Sequence, residues 1–224
     1  MRYPQSDAIG PFPSLRPGKM AVMHTMPGPH LRPATRWRPD VLTPGRPFSH
    51  AELQAMENDG VLQRLVEDSY ASSSTRATPE LRAAALAAGL TTRLLRRTVV
   101  GRLSAAWIFG CAPAPAAPVL LVPAPRRLSS AGRGHGAILH EVALGEFDVI
   151  DLGTLSVTTP LRTAVDVAVH GEGTIAALVI RRLIAQRGLG LTLSLVTRAV
   201  DALPRQPNKQ RGKELLRRLA GGGA

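Results

Sequence analysis

The residues able to do chemistry are few and scattered. Cys111 is the single cysteine, so the sequence offers no disulfide and no multi-thiolate zinc site. Between Gly110 and Ala112 it fits a lone nucleophile or a small buried hydrophobe, and the second is the commoner use of such a cysteine. The six histidines include no pair four residues apart with a glutamate between them, the pattern of zinc hydrolases. We therefore expect no metal and no cofactor.

Two polar pairs could assist hydrolysis if their side chains met. His140 and Glu141 are neighbours on a predicted strand, where successive side chains point to opposite faces. Asp148 and Asp151 are also expected on opposite faces, and no Glu-x-Lys sequence follows them as a metal-dependent nuclease strand would need. Nuclease chemistry is therefore disfavoured, and we expect no catalytic residue.

A glycine-rich stretch, Gly132-Arg133-Gly134-His135-Gly136, has the composition of a phosphate-binding loop. Phosphate-binding loops of that kind open a helix, whereas this stretch links two predicted strands. Neither of the common phosphate-loop and dinucleotide patterns occurs elsewhere in the sequence. A hairpin loop is the simpler interpretation.

The most organised polar cluster is the stretch 157–168. Thr159 can cap a helix, and Pro160 suits its first turn. Arg162 and Asp166 then share one face of the helix at the i, i+4 spacing, among apolar neighbours. We interpret them as a part-buried ion pair that locks the helix onto a sheet, with a binding or catalytic role as the alternative.

Composition and charge limit the partners. The 224 residues are 44% hydrophobic and 20% charged, which suffices to bury a core, and the formal net charge is +12. Both ends are basic: residues 1–47 hold seven basic and two acidic side chains, and 157–224 hold eleven and four. Such an excess favours a polyanion, although an acidic protein or plain solvation would also fit. No apolar run predicts a membrane span or signal, so a cytoplasmic protein is expected.

The elements that must position these residues begin after a proline-rich arm. Ten of the nineteen prolines precede residue 48, which predicts a disordered arm over 1–47. Ser49 then caps a helix from His50 to Met56, with Glu52 completing a capping box. The stretches 61–66 and 69–71 read as two strands. A helix followed by a two-stranded ribbon is typical of a small winged-helix module, placed at 48–76.

The remaining chain, 77–224, is predicted to be a mixed α/β domain with a helical C-terminal part, so that the whole is an α+β protein. Thr78 and Pro79 begin a helix, Val99-Val100 is predicted to be a strand edge, and Ser104 to Gly110 is a short apolar helix. Further strands are expected at 119–122, 138–144, 147–150 and 155–157, and helices at 159–169, 174–186, 191–203 and 209–219. The arginines of the last three helices suit a solvated face or a partner-binding face.

Several of these stretches resemble the AbiEi-type antitoxins common in actinobacteria, which belong to type IV toxin–antitoxin systems. Asp59-Gly60-Val61-Leu62 with Tyr70-Ala71 looks like the wing of the family's N-terminal winged helix, and 207–219 resembles its closing basic helix. Residues 104–110 are similar to its Ser/Thr-Ala-Ala-Trp-x-x-Gly helix. The stretch 157–166 is similar to its Val-Thr-Thr/Ser-Pro-x-Arg-Thr-x-x-Asp motif. The motif positions matched are Ser104, Trp107, Gly110, Thr159, Pro160, Arg162, Thr163 and Asp166.

The resemblance implies a DNA-binding transcriptional regulator that represses its own promoter and opposes a nucleotidyltransferase-like toxin. Related chains carry a Vsr-like endonuclease domain after this region, while this sequence stops at Ala224, so no enzymatic activity is expected. The residues predicted to contact DNA are His50, Gln54, Gln63, Arg64 and Arg76. The alternative is an orphan, non-enzymatic protein-binding module that reads no DNA. Its partner-binding residues would be Arg181, Arg182, Arg198, Arg211, Arg217 and Arg218.

Overall fold

The computed structural model describes residues 41–45, 47–124 and 136–222. It has the predicted α+β fold, with eight α-helices and seven strands among the described residues. Most of the predicted arm lies outside those residues. Leu42, within its end, is ordered: its backbone exchanges hydrogen bonds of 2.8 and 2.9 Å with Tyr70. The prediction of a disordered arm is therefore wrong at Leu42, because the strand that contains Tyr70 offers this residue a backbone partner.

The first region is a helix followed by a hairpin, as predicted. Helix α1 (His50–Asn58) begins at Ser49, whose side chain accepts from the Glu52 backbone while the Glu52 carboxylate accepts from the Ser49 backbone. Strands β1 (Leu62–Val66) and β2 (Ser69–Ser72) pair antiparallel. A small core of Leu53, Leu62 and Tyr70 holds the helix on the hairpin. We call residues 48–72 the helix–hairpin region.

Three helices and a short strand follow. Helix α2 (Pro79–Ala88) is capped by Thr78 as predicted, and α4 (Arg102–Ile108) is the predicted apolar helix. Helix α3 (Thr92–Arg97), capped by Thr91, was not predicted. Strand β3 (Val99–Val100) has only two residues, both buried. The larger core joins these elements to the hairpin, since Leu65, Val66 and Ala71 pack with α2.

A five-stranded sheet organises the rest of the molecule, in the order β5-β4-β3-β7-β6. Its remaining strands are β4 (Val119–Pro123), β5 (Ile138–Val142), β6 (Val149–Leu152) and β7 (Leu155–Thr158). The strand structure predicted at Val99-Val100 is present as β3, but it lies at the centre of the sheet, antiparallel to β4 and parallel to β7, and not at an edge. Two residues carry no periodicity, and only the sheet order reveals their central position.

Two further predictions about this sheet need correction. Strands β4 and β5 are parallel, so the connection between them, which contains Gly132–Gly136, cannot be a simple hairpin. Of that glycine-rich stretch, Gly132 to His135 lie outside the described residues, and Gly136 lies within them. The strand predicted at 147–150 begins only at Val149, because Glu146–Asp148 form a 3-10 turn. Asp148 therefore leaves the strand geometry that placed it opposite Asp151.

Four helices complete the fold close to their predicted bounds: α5 (Pro160–His170), α6 (Gly173–Ala185), α7 (Leu193–Ala202) and α8 (Lys209–Gly221). A 3-10 turn, Arg187–Leu189, separates α6 from α7. Helix α5 is buried along most of its length and packs between the sheet and the later helices. None of the helices in the described part of the chain is long and apolar enough to cross a membrane.

Candidate nucleic-acid interface

Two of the residues predicted to contact DNA are held by other parts of the chain. The Gln63 side-chain amide donates to the backbone oxygens of Ser72, at 2.9 Å, and Thr75, at 2.6 Å. The Arg64 guanidinium donates to the Glu57 carboxylate at 2.8 and 3.1 Å and lies 5.2 Å from the centre of the Tyr70 ring. The hydrogen bond with Glu57 raises the pKa of Arg64. Both side chains are therefore engaged by the helix–hairpin region and the loop that follows it.

The charge of the helix–hairpin region is unfavourable for DNA. His50 and Gln54 are exposed on α1, and the His50 ring nitrogen Nδ1 lies 3.6 Å from a carboxylate oxygen of Asp68. Residues 48–72 contain five carboxylates and one arginine. Phosphate groups approaching this surface would meet mainly like charge.

The basic surface lies in the next stretch of chain. Arg93, Arg96 and Arg97 are exposed on α3, whose buried residue Leu94 fixes the helix to the core. Arg76, the last of the predicted DNA contacts, is exposed in the preceding loop. We call these four arginines the basic segment. Within the described part of the chain, Arg76, Arg96 and Arg97 form no hydrogen bond or ion pair through their side chains.

Sequence reasoning missed α3, although it carries a usable signal. The Thr91 hydroxyl accepts a hydrogen bond of 3.4 Å from the Leu94 backbone, which is ordinary N-capping. Three residues, Gly89, Leu90 and Thr91, separate α2 from α3. A short turn containing glycine between two helices is the connection found in helix-turn-helix units.

The predicted pair of Arg162 and Asp166 is present and is part of a larger network. The Arg162 Nε donates to Asp166 at 2.9 Å, and Nη1 donates to Asp148 at 2.6 Å and to the Ala143 backbone oxygen at 3.3 Å. Asp166 is 6% exposed, and burial raises the pKa of its carboxyl above the ordinary value despite the arginine. The network ties α5 to the turn before β6, which fits the interpretation of a structural lock.

Other residues of the same motif also hold the structure together. The Thr159 hydroxyl accepts from the Arg162 backbone at 3.4 Å and so caps α5, with Pro160 in its first turn. The Thr163 hydroxyl lies 2.7 Å from the Thr158 hydroxyl in the interior. These contacts bind the start of α5 to the end of β7.

The second motif is similarly structural. The Ser104 hydroxyl accepts from the Val119 backbone at 2.9 Å, which joins α4 to β4. Trp107 is buried, and its backbone oxygen accepts from Arg82 at 3.3 Å. Gly110 has a φ of +77°, and a Cβ there would lie 2.6 Å from the Arg82 guanidinium, so a larger residue would displace that contact.

The six arginines proposed for partner binding separate into two groups. Arg211 donates to the backbone oxygens of Val169, at 3.2 Å, and Gly171, at 2.8 Å, so it closes the end of α5. Arg217 and Arg218 lie beside Glu214. The other three are exposed and form no side-chain hydrogen bond or ion pair with any described residue: Arg181, Arg182 and Arg198.

Cys111 is buried, and burial raises the pKa of its thiol, which disfavours the nucleophilic thiolate. Its thiol lies 3.3 Å from the Gln186 side-chain oxygen. Among the described residues, no three histidine, cysteine or acidic side chains are grouped so that they could hold a metal ion.

Comparison with known proteins yields a distant structural neighbour. No protein-family model and no curated protein matches the chain. Among solved structures, it is similar to the RV2827C protein from Mycobacterium tuberculosis, with 16% identity and a TM-score of 0.41. The match covers 75% of this chain and 64% of the other, so this chain spans less than two thirds of that protein's length. A similarity at this level says nothing about function.

Proposed function

We propose that the protein is a DNA-binding regulator of the antitoxin type that contacts phosphates through the basic segment. The observation that carries the proposal is the exposed arginine surface of α3 and the loop before α2. Arg76, Arg96 and Arg97 have no partner among the described residues, so their charge is available to a ligand. Arginine at a DNA surface replaces condensed counterions, whose release favours binding.

The helix–hairpin region has a secondary part in this proposal. Arg64 would have to exchange Glu57 for a phosphate, and Gln63 would have to give up two backbone partners. The roles of His50, Gln54, Gln63 and Arg64 in DNA binding stay predictions. Regulation of the protein's own promoter and opposition to a nucleotidyltransferase-like toxin rest on the resemblance of residues 104–110 and 157–166 to AbiEi-type antitoxins.

Fluorescence anisotropy of the full chain with the duplex upstream of its own gene, and with a scrambled duplex, tests the proposal across a salt series. We expect tighter binding to the gene's own duplex. Arg96→Glu with Arg97→Glu should weaken binding at least about tenfold and lower the slope of log affinity against log salt by about two. Binding that is equal for both duplexes and vanishes in moderate salt would mean that the protein binds DNA without sequence specificity.

Arg181→Glu with Arg182→Glu is the matched control, because it makes the same charge change at two exposed arginines of α6. We expect the control to bind the gene's own duplex nearly as well as the wild type. Equal losses in the two variants would mean that only the total charge matters, and would contradict the assignment to the basic segment.

A second candidate function, binding of a protein partner, has its own observation on α6. Ile175 and Leu178 are 42% and 49% exposed, and they lie on the same helix as Arg181 and Arg182, which have no ion-pair partner among the described residues. Exposed apolar side chains contribute nothing to phosphate binding but suit a protein interface. Co-expression with a nucleotidyltransferase encoded next to the gene tests this candidate. Arg181→Glu with Arg182→Glu should then lose protection of the cells against this nucleotidyltransferase. Arg96→Glu with Arg97→Glu should retain that protection.

A further inference from the structure

The turn before β6 carries a phenylalanine that faces solvent. Phe147 is 88% exposed, whereas every other phenylalanine, tyrosine and tryptophan among the described residues is buried or half-buried. A single exposed apolar residue is ordinary on a protein surface and predicts nothing by itself. This one differs because the fold holds its backbone in place and because the charge around it has one sign.

The backbone of the turn is held by hydrogen bonds to the start of α5. The Thr159 hydroxyl donates to the Phe147 backbone oxygen at 3.4 Å, and the Thr159 backbone N–H donates to the Asp148 backbone oxygen at 2.8 Å. Arg162 donates to the Asp148 carboxylate and to the Ala143 backbone oxygen, so it holds both ends of the turn. An aromatic side chain on so fixed a backbone loses little conformational entropy when a partner buries it, which suits an anchor residue of an interface.

The stretch around this turn is acidic, although the chain as a whole is strongly basic. Residues 137–161 contain four acidic residues and no lysine or arginine. Glu146, the neighbour of Phe147, is exposed and forms no ion pair with any described residue. Such a surface repels phosphate groups, whereas a basic protein surface complements it. The surface at Phe147 therefore fits an apolar partner face bordered by arginine or lysine.

The chain itself carries a face of that kind on α6. Ile175 and Leu178 are exposed and three residues apart, and Arg181 and Arg182 follow Leu178 by three and four residues, so the four share one face of the helix. Helix α6 contains no acidic residue. Within one folded copy neither surface covers the other, because Phe147, Ile175 and Leu178 all remain exposed. Contact between the two surfaces therefore requires a second copy of the chain.

We propose that the protein self-associates through these surfaces, with Phe147 of one copy packed beside Ile175 and Leu178 of another. Glu146 then meets the two arginines of α6 across the interface, and this charge pairing selects which surfaces bind. Two copies related by a two-fold axis make the contact twice, which closes the assembly at a dimer. The inference rests on the second candidate function, binding of a protein partner at α6, and names that partner as a second copy of the chain.

Sedimentation velocity of the full chain, across a concentration series, tests the proposal. We expect the mass to increase from that of one chain to that of two over the micromolar range. Phe147→Ala should weaken self-association at least about tenfold, because it removes the anchor. Val61→Ala is the matched control, since it shortens an exposed apolar side chain in the helix–hairpin region and should leave self-association unchanged. A wild-type chain that stays monomeric, or equal effects of the two variants, would overturn the proposal.

An exchange of charge tests whether these two surfaces meet. Glu146→Arg alone, and Arg181→Glu with Arg182→Glu alone, each place like charges opposite each other and should yield monomers. The altered side chains are exposed, so both variants should keep the wild-type melting temperature. An equimolar mixture of the two variants restores opposite charges at both contacts and should sediment as a dimer with one chain of each kind. A mixture that stays monomeric would show that the two surfaces do not bind each other.

Failure of this inference and failure of the second candidate function give different results. A monomeric wild-type chain whose α6 double variant loses protection against the nucleotidyltransferase would overturn self-association and keep α6 as an interface for that partner. Self-association that depends on Phe147, with protection unaffected by the α6 double variant, would keep the second copy as the partner and remove the nucleotidyltransferase from α6.

Discussion

Two regions of this molecule use arginine in opposite ways. At the junction of α5 with the turn before β6, Arg162 donates to two carboxylates and a backbone oxygen and is largely enclosed. On α3, Arg96 and Arg97 face solvent and have no partner among the described residues. The first arrangement fixes tertiary structure, whereas the second leaves positive charge open to a ligand.

The difference teaches that the number of arginines in a segment does not by itself locate a binding surface. The C-terminal part is the more basic end of the chain, yet Arg162 and Arg211 in it form internal hydrogen bonds. The basic segment lies within a stretch, 48–100, that holds six basic and six acidic residues and is neutral overall. Its positive surface emerges because the carboxylates cluster in the helix–hairpin region.

The variant Arg162→Met removes the enclosed guanidinium and should have the largest effect on stability. Both oxygens of buried Asp166 would lack a partner, so we expect a loss of about 3–5 kcal/mol in the free energy of unfolding. Urea denaturation measures it. Because burial raises the pKa of Asp166, the folded variant binds the extra proton as pH falls, so the loss should be smaller near about pH 5 than near about pH 7. An unchanged urea midpoint would mean that the network does not stabilise the fold and would favour a functional role for it.

Removal of the cap of α3 tests whether the open arginines need an ordered helix. Thr91→Ala deletes the oxygen that accepts from the Leu94 backbone and should cost about 1 kcal/mol of stability. We also expect weaker DNA binding, since Arg93, Arg96 and Arg97 lose their common support. Thr91→Ser, which retains the hydroxyl, should behave like the wild type in both thermal melting and anisotropy. DNA affinity that is insensitive to the cap would separate binding from helix order.

The variant Glu57→Gln removes the carboxylate that pairs with Arg64 and leaves the Arg64 guanidinium available to a phosphate. The ion pair with Arg64 is on the surface, so its loss should change stability by no more than about 1 kcal/mol. The freed arginine should raise the affinity for nonspecific duplex and steepen its salt dependence by about one phosphate contact. Glu80→Gln, at an exposed carboxylate with no described partner, is the control for the change in net charge. Equal gains in both would show that Arg64 takes no part.

The smallest effect on stability is expected at the exposed arginines of α3. Arg96→Glu with Arg97→Glu removes no contact made by a described residue, so the free energy of unfolding should change by at most about 0.5 kcal/mol. Differential scanning calorimetry checks this, alongside the large loss of DNA affinity expected above. A substantial fall in the melting temperature would mean that these arginines stabilise the fold and would remove the contrast with Arg162.

Most helices could be predicted from sequence because their ends depend on neighbours within a few residues. Ser49 with Glu52, Thr78 with Pro79, and Thr159 with Pro160 each begin a helix through contacts local to one turn. The central position of strand β3 in the sheet could not be predicted in this way, because its two valines become central only by pairing with β4 and β7. The direction of β5 was equally hidden, since side-chain alternation is the same in parallel and antiparallel strands.

The candidate site divides along the same line. The sequence by itself determined the pairing of Arg162 with Asp166, because four residues along a helix bring two side chains together. Only the tertiary structure decided that Arg162 also binds Asp148, that Glu57 holds Arg64, and that Arg102 meets His140. The partners in these three contacts are 14, 7 and 38 residues apart, and backbone periodicity does not fix distances across such separations. Which arginines remain open to a ligand was therefore settled by packing.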